Sequence, residues 1–189
     1  MKAKIIMTAL TAVFALAVVG IAAADQIKGT PGDDVLVGTP SNDTIFALAG
    51  NDTVDARAGD DRIHGNQGDD TIDAGEGNDV AFGGRGNDII NGGPGNDRLR
   101  GRPGNDTIDG GAGNDRIFVG SGADVENGGP GDDRMHAVYP DNQVDQIDCG
   151  PGNDIVYLNA NEHDITANCE VVRYAKWQPK ENDTAADDN

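Results

Sequence analysis

GGRGNDIIN (residues 83–91), GGPGNDRLR (92–100) and GGAGNDRIF (110–118) are three copies of one nine-residue unit, and the array they belong to runs unbroken from residue 29 to residue 136. Twelve units begin at Gly29, Gly38, Ala47, Ala56, Gly65, Ala74, Gly83, Gly92, Gly101, Gly110, Val119 and Gly128. The sixth position is always Asp: Asp34, Asp43, Asp52, Asp61, Asp70, Asp79, Asp88, Asp97, Asp106, Asp115, Asp124 and Asp133. The fourth is Gly in every unit except that of Ser41. The eighth is aliphatic or Met except at Ala81 and Glu126. A disordered Gly/Asp tract has no need of an apolar eighth position, so the pattern points to a folded array.

The glycines set the local geometry. A Gly-rich six-residue loop can place residues at positive φ and turn several carbonyls toward one spot. An Asp two residues after the last Gly adds a carboxylate, and the resulting all-oxygen half-shell suits calcium, which takes about six to eight oxygens in tolerant geometry. The candidate carbonyls are those of Gly50, Gly59, Gly68, Gly77, Gly86, Gly95, Gly104 and Gly113. The three residues that follow each loop, such as Thr107-Ile108-Asp109, have room for one short strand whose middle side chain faces inward. Alternating loops and strands then wind a flattened coil with two units per turn, in which loops two units apart stack.

This array resembles the hemolysin-type calcium-binding repeats of the RTX family, with consensus G-G-x-G-x-D-x-U-x. The resemblance implies an all-β fold, a right-handed parallel β-roll. It also implies several calcium ions held between loops of units n and n+2 by the twelve sixth-position carboxylates, by Asp154 in a later unit, and by loop carbonyls.

Met1 to Ala24 reads as a signal peptide: Lys2 and Lys4 precede an apolar run from Ile5 to Ile21, and Ala22-Ala23-Ala24 supplies a small-residue cleavage site. A membrane anchor is the competing reading, since the run is close to spanning length. Cleavage predicts a mature chain from Asp25, secreted and without membrane insertion. The chain carries a net charge of −19, and loss of Lys2 and Lys4 with the leader would take it to −21. So acidic a chain is a poor partner for nucleic acid, whose phosphates demand Lys and Arg. Each turn of the roll offers few apolar side chains to bury, while ordering each residue costs about 1–2 kcal/mol. Stacked Asp columns repel one another unless cations lie between them, so metal binding and folding are expected to be one event.

Alternate units differ at their outer positions. One set carries Phe46, His64, Phe82, Arg100, Phe118 and His136 at the ninth position, with Arg62, Arg98, Arg116 and Arg134 among its seventh positions. The interleaved set carries Asp55, Asp73 and Asp109 at the ninth position, with Thr53, Thr71 and Thr107 at the seventh. One sheet is therefore aromatic and cationic, the other acidic and hydroxylated. Phe46, Phe82, Phe118, Arg98, Arg100 and Arg116 form a candidate face for an anionic polymer or cell-surface partner. The alternative is that these residues cover the sheet and offset the acidic loops.

Past His136 the register slips by three residues, Ala137 to Tyr139. Pro140 to Asp148 is a worn unit that keeps Asp145 and Ile147, and CGPGNDIVY follows from Cys149 with Asp154 in place. The roll is thus expected over residues 25–157. Residues 158–177 are expected to close it as a C-terminal cap, with Val171, Val172, Tyr174 and Trp177 over the last rung, before a polar acidic tail over 178–189. Cys149 and Cys169 are 20 apart, two more than one full turn, so a two-residue bulge would make them neighbours in a disulfide; two free thiols are the alternative. Their spacing, with Glu170 following, also resembles the ending of small secreted repeat proteins of actinobacteria.

His64, His136 and His163 are scattered, and neither a His-Glu-x-x-His motif nor a Ser-centred nucleophile elbow occurs. The expectation is a non-enzymatic, stand-alone secreted calcium-binding protein. A calcium-dependent adhesin for a carbohydrate or envelope partner, and an accessory module for polysaccharide-modifying enzymes, are the alternatives.

Overall fold

A computed structural model describes residues 26–161 and 163–175. The expected signal peptide, Trp177 and the acidic tail lie outside the described residues. The chain forms 17 strands: β1 (Gln26–Lys28), β2 (Val35–Val37), β3 (Thr44–Ala49), β4 (Thr53–Asp55), β5 (Arg62–Gln67), β6 (Thr71–Asp73), β7 (Val80–Arg85), β8 (Ile89–Asn91), β9 (Arg98–Arg100), β10 (Thr107–Asp109), β11 (Arg116–Phe118), β12 (Val125–Asn127), β13 (Arg134–Ala137), β14 (Gln146–Asp148), β15 (Ile155–Asn159), β16 (Ile165–Ala167) and β17 (Val171–Ala175). Odd strands make one nine-stranded sheet and even strands an eight-stranded sheet, each in sequence order, and every pairing is parallel. The fold is the parallel β-solenoid that the repeat predicts.

Register follows the two-unit turn. Thr107 lies opposite Ile89, 18 residues earlier, and Arg116 opposite Arg98. After His136 the offset becomes 21, with Val125 opposite Gln146 and Arg134 opposite Ile155. The three extra residues are accommodated between β13 and β14, and neither ladder loses its facing.

The core is the stack of eighth-position side chains from the two sheets. Ile45, Ile63, Leu99, Ile117, Met135 and Val156 come from one sheet, and Val54, Ile72, Ile90 and Ile108 from the other; all are fully buried. Because a strand's side chains alternate, the seventh and ninth positions point outward, and in β10 Thr107 and Asp109 flank buried Ile108.

Residues 158–175 extend both sheets. β16 pairs with β14 and β17 with β15, adding one rung to each sheet. Val171, Val172 and Tyr174 are exposed on that last rung, at 38%, 38% and 69%. Cys149 and Cys169 form a disulfide with their Cα atoms 5.1 Å apart. The ladder from β14 to β16 has an offset of 19, and Asn168, at positive φ, takes up the second extra residue.

Candidate metal sites between the loops

Two columns of sixth-position carboxylates run the length of the roll, one along each row of loops. In each, the amide of one Asp donates to Oδ1 of the Asp one turn further on: Asp52 to Asp70, Asp70 to Asp88 and Asp88 to Asp106 in one column, and Asp61 to Asp79, Asp79 to Asp97 and Asp97 to Asp115 in the other, all at 2.7–2.9 Å. The columns continue past the register slip, Asp124 to Asp145 at 3.0 Å and Asp133 to Asp154 at 2.8 Å. Glu170 ends the second column, its carboxylate accepting the Asp154 amide at 2.9 Å.

A second ladder stands beside the first and runs the opposite way. Fifth-position Asn or Asp side chains accept the amide of the fifth residue one turn later, as Asn78 does from Asn96 at 3.0 Å and Asn87 does from Asn105 at 2.9 Å. Every unit from Gly29 to Gly128 carries Asn or Asp there except that of Ala123. The fifth-position Asn or Asp is legible in the sequence, but its role as an acceptor between turns is not.

Oδ1 is thus used up within the protein, and Oδ2 is not. Oδ2 of Asp52, Asp61, Asp70, Asp79, Asp88, Asp97, Asp106, Asp115, Asp133 and Asp154 is buried with no hydrogen-bond partner. A native fold does not leave ten such atoms without a reason, since each costs about 1–3 kcal/mol, and more when charged. Burial pushes the Asp106 carboxyl up to about 8 and those of Asp79 and Asp115 up to about 7, although a backbone amide on each pulls the other way. Asp52, Asp70 and Asp97 are pushed to about 6 by the same cause.

Where the first position is Gly, its backbone lies close against these atoms. A methyl group on Gly110 would sit 2.6 Å from Oδ2 of Asp115 and 2.5 Å from the carbonyl oxygen of Gly128. A carboxylate oxygen of one unit and a carbonyl oxygen two units later therefore converge where a side chain would otherwise stand. Among the described residues no three Asp, Glu, His or Cys side chains cluster as a metal site of their own. Backbone oxygens must complete any shell, which suits calcium. The fourth-position glycines follow the same logic: Gly95 has φ 155°, and the carbonyl oxygen of Gly77 occupies the place its Cβ would take. The residues present fit calcium.

The first turn differs. Asp34 Oδ2 accepts from the Thr30 amide at 2.5 Å and its hydroxyl at 3.0 Å. The Thr39 amide donates to Asp43 Oδ2 at 2.6 Å, and the Thr39 hydroxyl lies 3.1 Å from Oδ1. These two carboxylates, expected as metal ligands, already have protein donors on the atoms that are orphaned further along.

The candidate partner face is a continuous outward ladder. Phe46 stacks on His64 and His64 on Phe82, at 4.9 and 4.8 Å, and Phe118 stacks on His136 and His136 on Tyr157, at 4.4 and 4.6 Å. The Arg100 guanidinium bridges the two stacks, 5.8 Å from Phe82 and 5.1 Å from Phe118. His64 and His136 each carry a ring on both faces. Arg98, Arg116 and Arg134 sit opposite each other on successive strands, exposed.

A parallel solenoid whose stacked loops present unsatisfied carboxylate oxygens beside converging carbonyls defines a class, the calcium-binding β-rolls. The family model RTX calcium-binding nonapeptide repeat (4 copies) matches residues 19–54, 28–63, 55–90, 64–99 and 91–126, so the chain belongs to the RTX calcium-binding repeat family. No curated protein matches it.

Proposed function

We propose that this is a secreted, non-enzymatic calcium-binding protein whose folding is driven by calcium filling the spaces between its loops. The observation that carries the reading is the column of buried Oδ2 atoms with no partner. Without cations these oxygens oppose the fold by desolvation and mutual repulsion; with cations the same atoms hold successive turns together. Free calcium is scarce in cytoplasm and abundant outside cells, so the chain would cross a membrane unfolded and fold on arrival. Extracellular calcium modules bind at about 0.1–1 mM, and neighbour coupling along a solenoid sharpens the response. Circular dichroism of the chain during a calcium titration, then with chelator, tests it. A disordered signal should convert reversibly to β structure; a spectrum already folded without calcium would overturn the reading. N-terminal sequencing of the exported product should begin at Asp25.

One observation favours a second reading, a calcium-dependent binding module for an anionic polymer or cell-surface partner. Arg98, Arg116 and Arg134 form a column of like charges that has no ion pair among the described residues and faces solvent. Retention on an anionic polymer that needs calcium and is lost in R98S/R116S/R134S would support it.

A further inference from the structure

The two sheets divide the charge of their strands completely. Among the described residues the nine odd strands carry eight Lys or Arg and no Asp or Glu, and the eight even strands carry five Asp or Glu and no Lys or Arg. One of those five, Glu126, is buried; Asp55, Asp73, Asp109 and Asp148 are exposed on the outer surface. The roll therefore has opposite charge on its two outer faces, although the chain as a whole carries −19.

Each face is built of two columns. From β5 to β13 the seventh positions of the odd sheet are Arg on four rungs of five, with Arg98, Arg116 and Arg134 adjacent and exposed. Its ninth positions carry the stacked rings. On the even sheet the exposed Asp residues all lie at ninth positions, interspersed with Asn91 and Asn127. The seventh positions beside them are uncharged: Thr53, Thr71, Ile89, Thr107 and Val125 in succession, with Ile89 and Val125 52% and 43% exposed.

Strand direction fixes how two such faces meet. Every pairing within a sheet is parallel, and odd and even strands alternate along the chain, so the chain runs back along one sheet after each pass along the other. The strands of the two sheets therefore point in opposite directions. When one roll is laid on another by translation alone, the odd sheet of the first meets the even sheet of the second, and the reversal sets seventh positions opposite ninth positions. Arg98, Arg116 and Arg134 then face the Asp and Asn column, and the rings face the Thr, Ile and Val column. Turning one roll through half a revolution about the sheet normal would lose both matches. Both sheets belong to one coil and repeat at about 4.8 Å, so the matches recur rung by rung.

We propose that calcium-loaded rolls bind one another face to face, the Arg and aromatic sheet of one copy on the Asp and Thr sheet of the next. The contact joins two different faces and leaves one of each unused at the ends, so it builds an open stack rather than a closed dimer. It rests on the reading that the loops hold calcium, which folds the roll and offsets the net charge that keeps copies apart. An anionic polymer would use the cationic sheet alone, whereas a second copy uses both columns of both sheets.

Sedimentation and light scattering of the chain at saturating calcium test it, with circular dichroism of the same samples to follow folding. Mean mass should rise with protein concentration past that of a dimer. It should return to that of single chains in about 1 M sodium chloride, where the screening length is about 3 Å, while the β signal persists. R98E/R116E/R134E and D55R/D73R should each weaken self-association about tenfold or more, the size expected for a few exposed charge pairs. A mixture of the two should associate again, because the acidic odd sheet of one fits the cationic even sheet of the other. Folded chains that stay single at every concentration, or reversed variants that associate as the parent does, would overturn the proposal. Single chains that instead bind an anionic polymer through the Arg column would assign that face to the polymer and overturn it too. A parent chain with no β structure in calcium would overturn both readings. If R98E/R116E/R134E does not fold, D55R/D73R decides alone.

Discussion

The amide of Asp79 donates to Oδ1 of Asp97, 2.8 Å away and one turn further along the roll. Asp97 in turn donates its own amide to Asp115. Each mid-column Asp is therefore bound to both neighbouring turns before any metal is considered, and loses two functions when replaced. Asp97→Ala removes the partner of a buried amide, costing about 1–3 kcal/mol, and also one carboxylate of the metal column. Its folding midpoint should move to higher calcium and its apparent cooperativity should fall, as read by circular dichroism. Asp34→Ala should matter less, because that residue begins its column and its Oδ2 already has Thr30. Equal shifts in the two variants would refute the column.

Thr39 gives a contrasting case. It is fully buried, and both its amide and its hydroxyl lie against Asp43. Thr39→Val keeps the shape and removes the hydroxyl. The roll should lose about 1–2 kcal/mol in denaturant titrations at saturating calcium, with no change in the number of ions bound. A change in ion count would mean that the first turn binds metal as the middle turns do.

Most of the fold was legible because the repeat writes each structural role at a fixed position. The sixth-position Asp, the inward eighth position and the 18-residue register could all be read, as could the three-residue slip after His136. What was hidden depends on atoms rather than positions. Nothing in the letters says that Oδ1 of Asp97 is spent on a neighbouring amide while Oδ2 is left over. Nothing in the sequence shows that the Thr30 and Thr39 hydroxyls lie against Asp34 and Asp43. Glu126 was visible as an exception, but its burial without a partner was not. Val171, Val172 and Tyr174 read as cover for the last rung, but the sequence did not show that they lie in a strand, β17, paired with β15.

The carboxyl groups also predict how protons act. In the folded chain burial holds Asp106 at about 8, Asp79, Asp115 and Asp145 at about 7, and Asp97 at about 6. An unfolded Asp titrates at about 3.9. Groups raised in this way favour the fold fully below about pH 4, and that contribution disappears as pH rises through roughly 6 to 8. In calcium-free buffer, β structure should therefore increase from pH 8 to pH 5. In the presence of calcium the same change should weaken calcium binding by the folded roll, because protons and ions compete for the same oxygens. A metal-free chain that is better folded at pH 8 than at pH 5 would contradict this account of the columns.

The aromatic ladder sets the last test, which separates covering the sheet from docking a partner. Phe82 is its most engaged ring: His64 stacks on it at 4.8 Å, and the guanidiniums of Arg62, Arg100 and Arg102 lie 5.1, 5.8 and 5.1 Å from its centroid. Phe46 has the His64 stack at 4.9 Å and no guanidinium over it among the described residues. A stacked pair contributes about 0.5–1.5 kcal/mol and an exposed cation–π contact about 0.5–1. Phe82→Ser should therefore destabilise the calcium-loaded roll by roughly 2–4 kcal/mol, and Phe46→Ser by about 1. Both variants should still fold when calcium is added, because neither ring reaches the carboxylate columns. Denaturant midpoints at saturating calcium measure the difference. Equal, negligible losses would mean that the ladder adds no strength to the sheet, and would shift the weight toward a docking role for its rings.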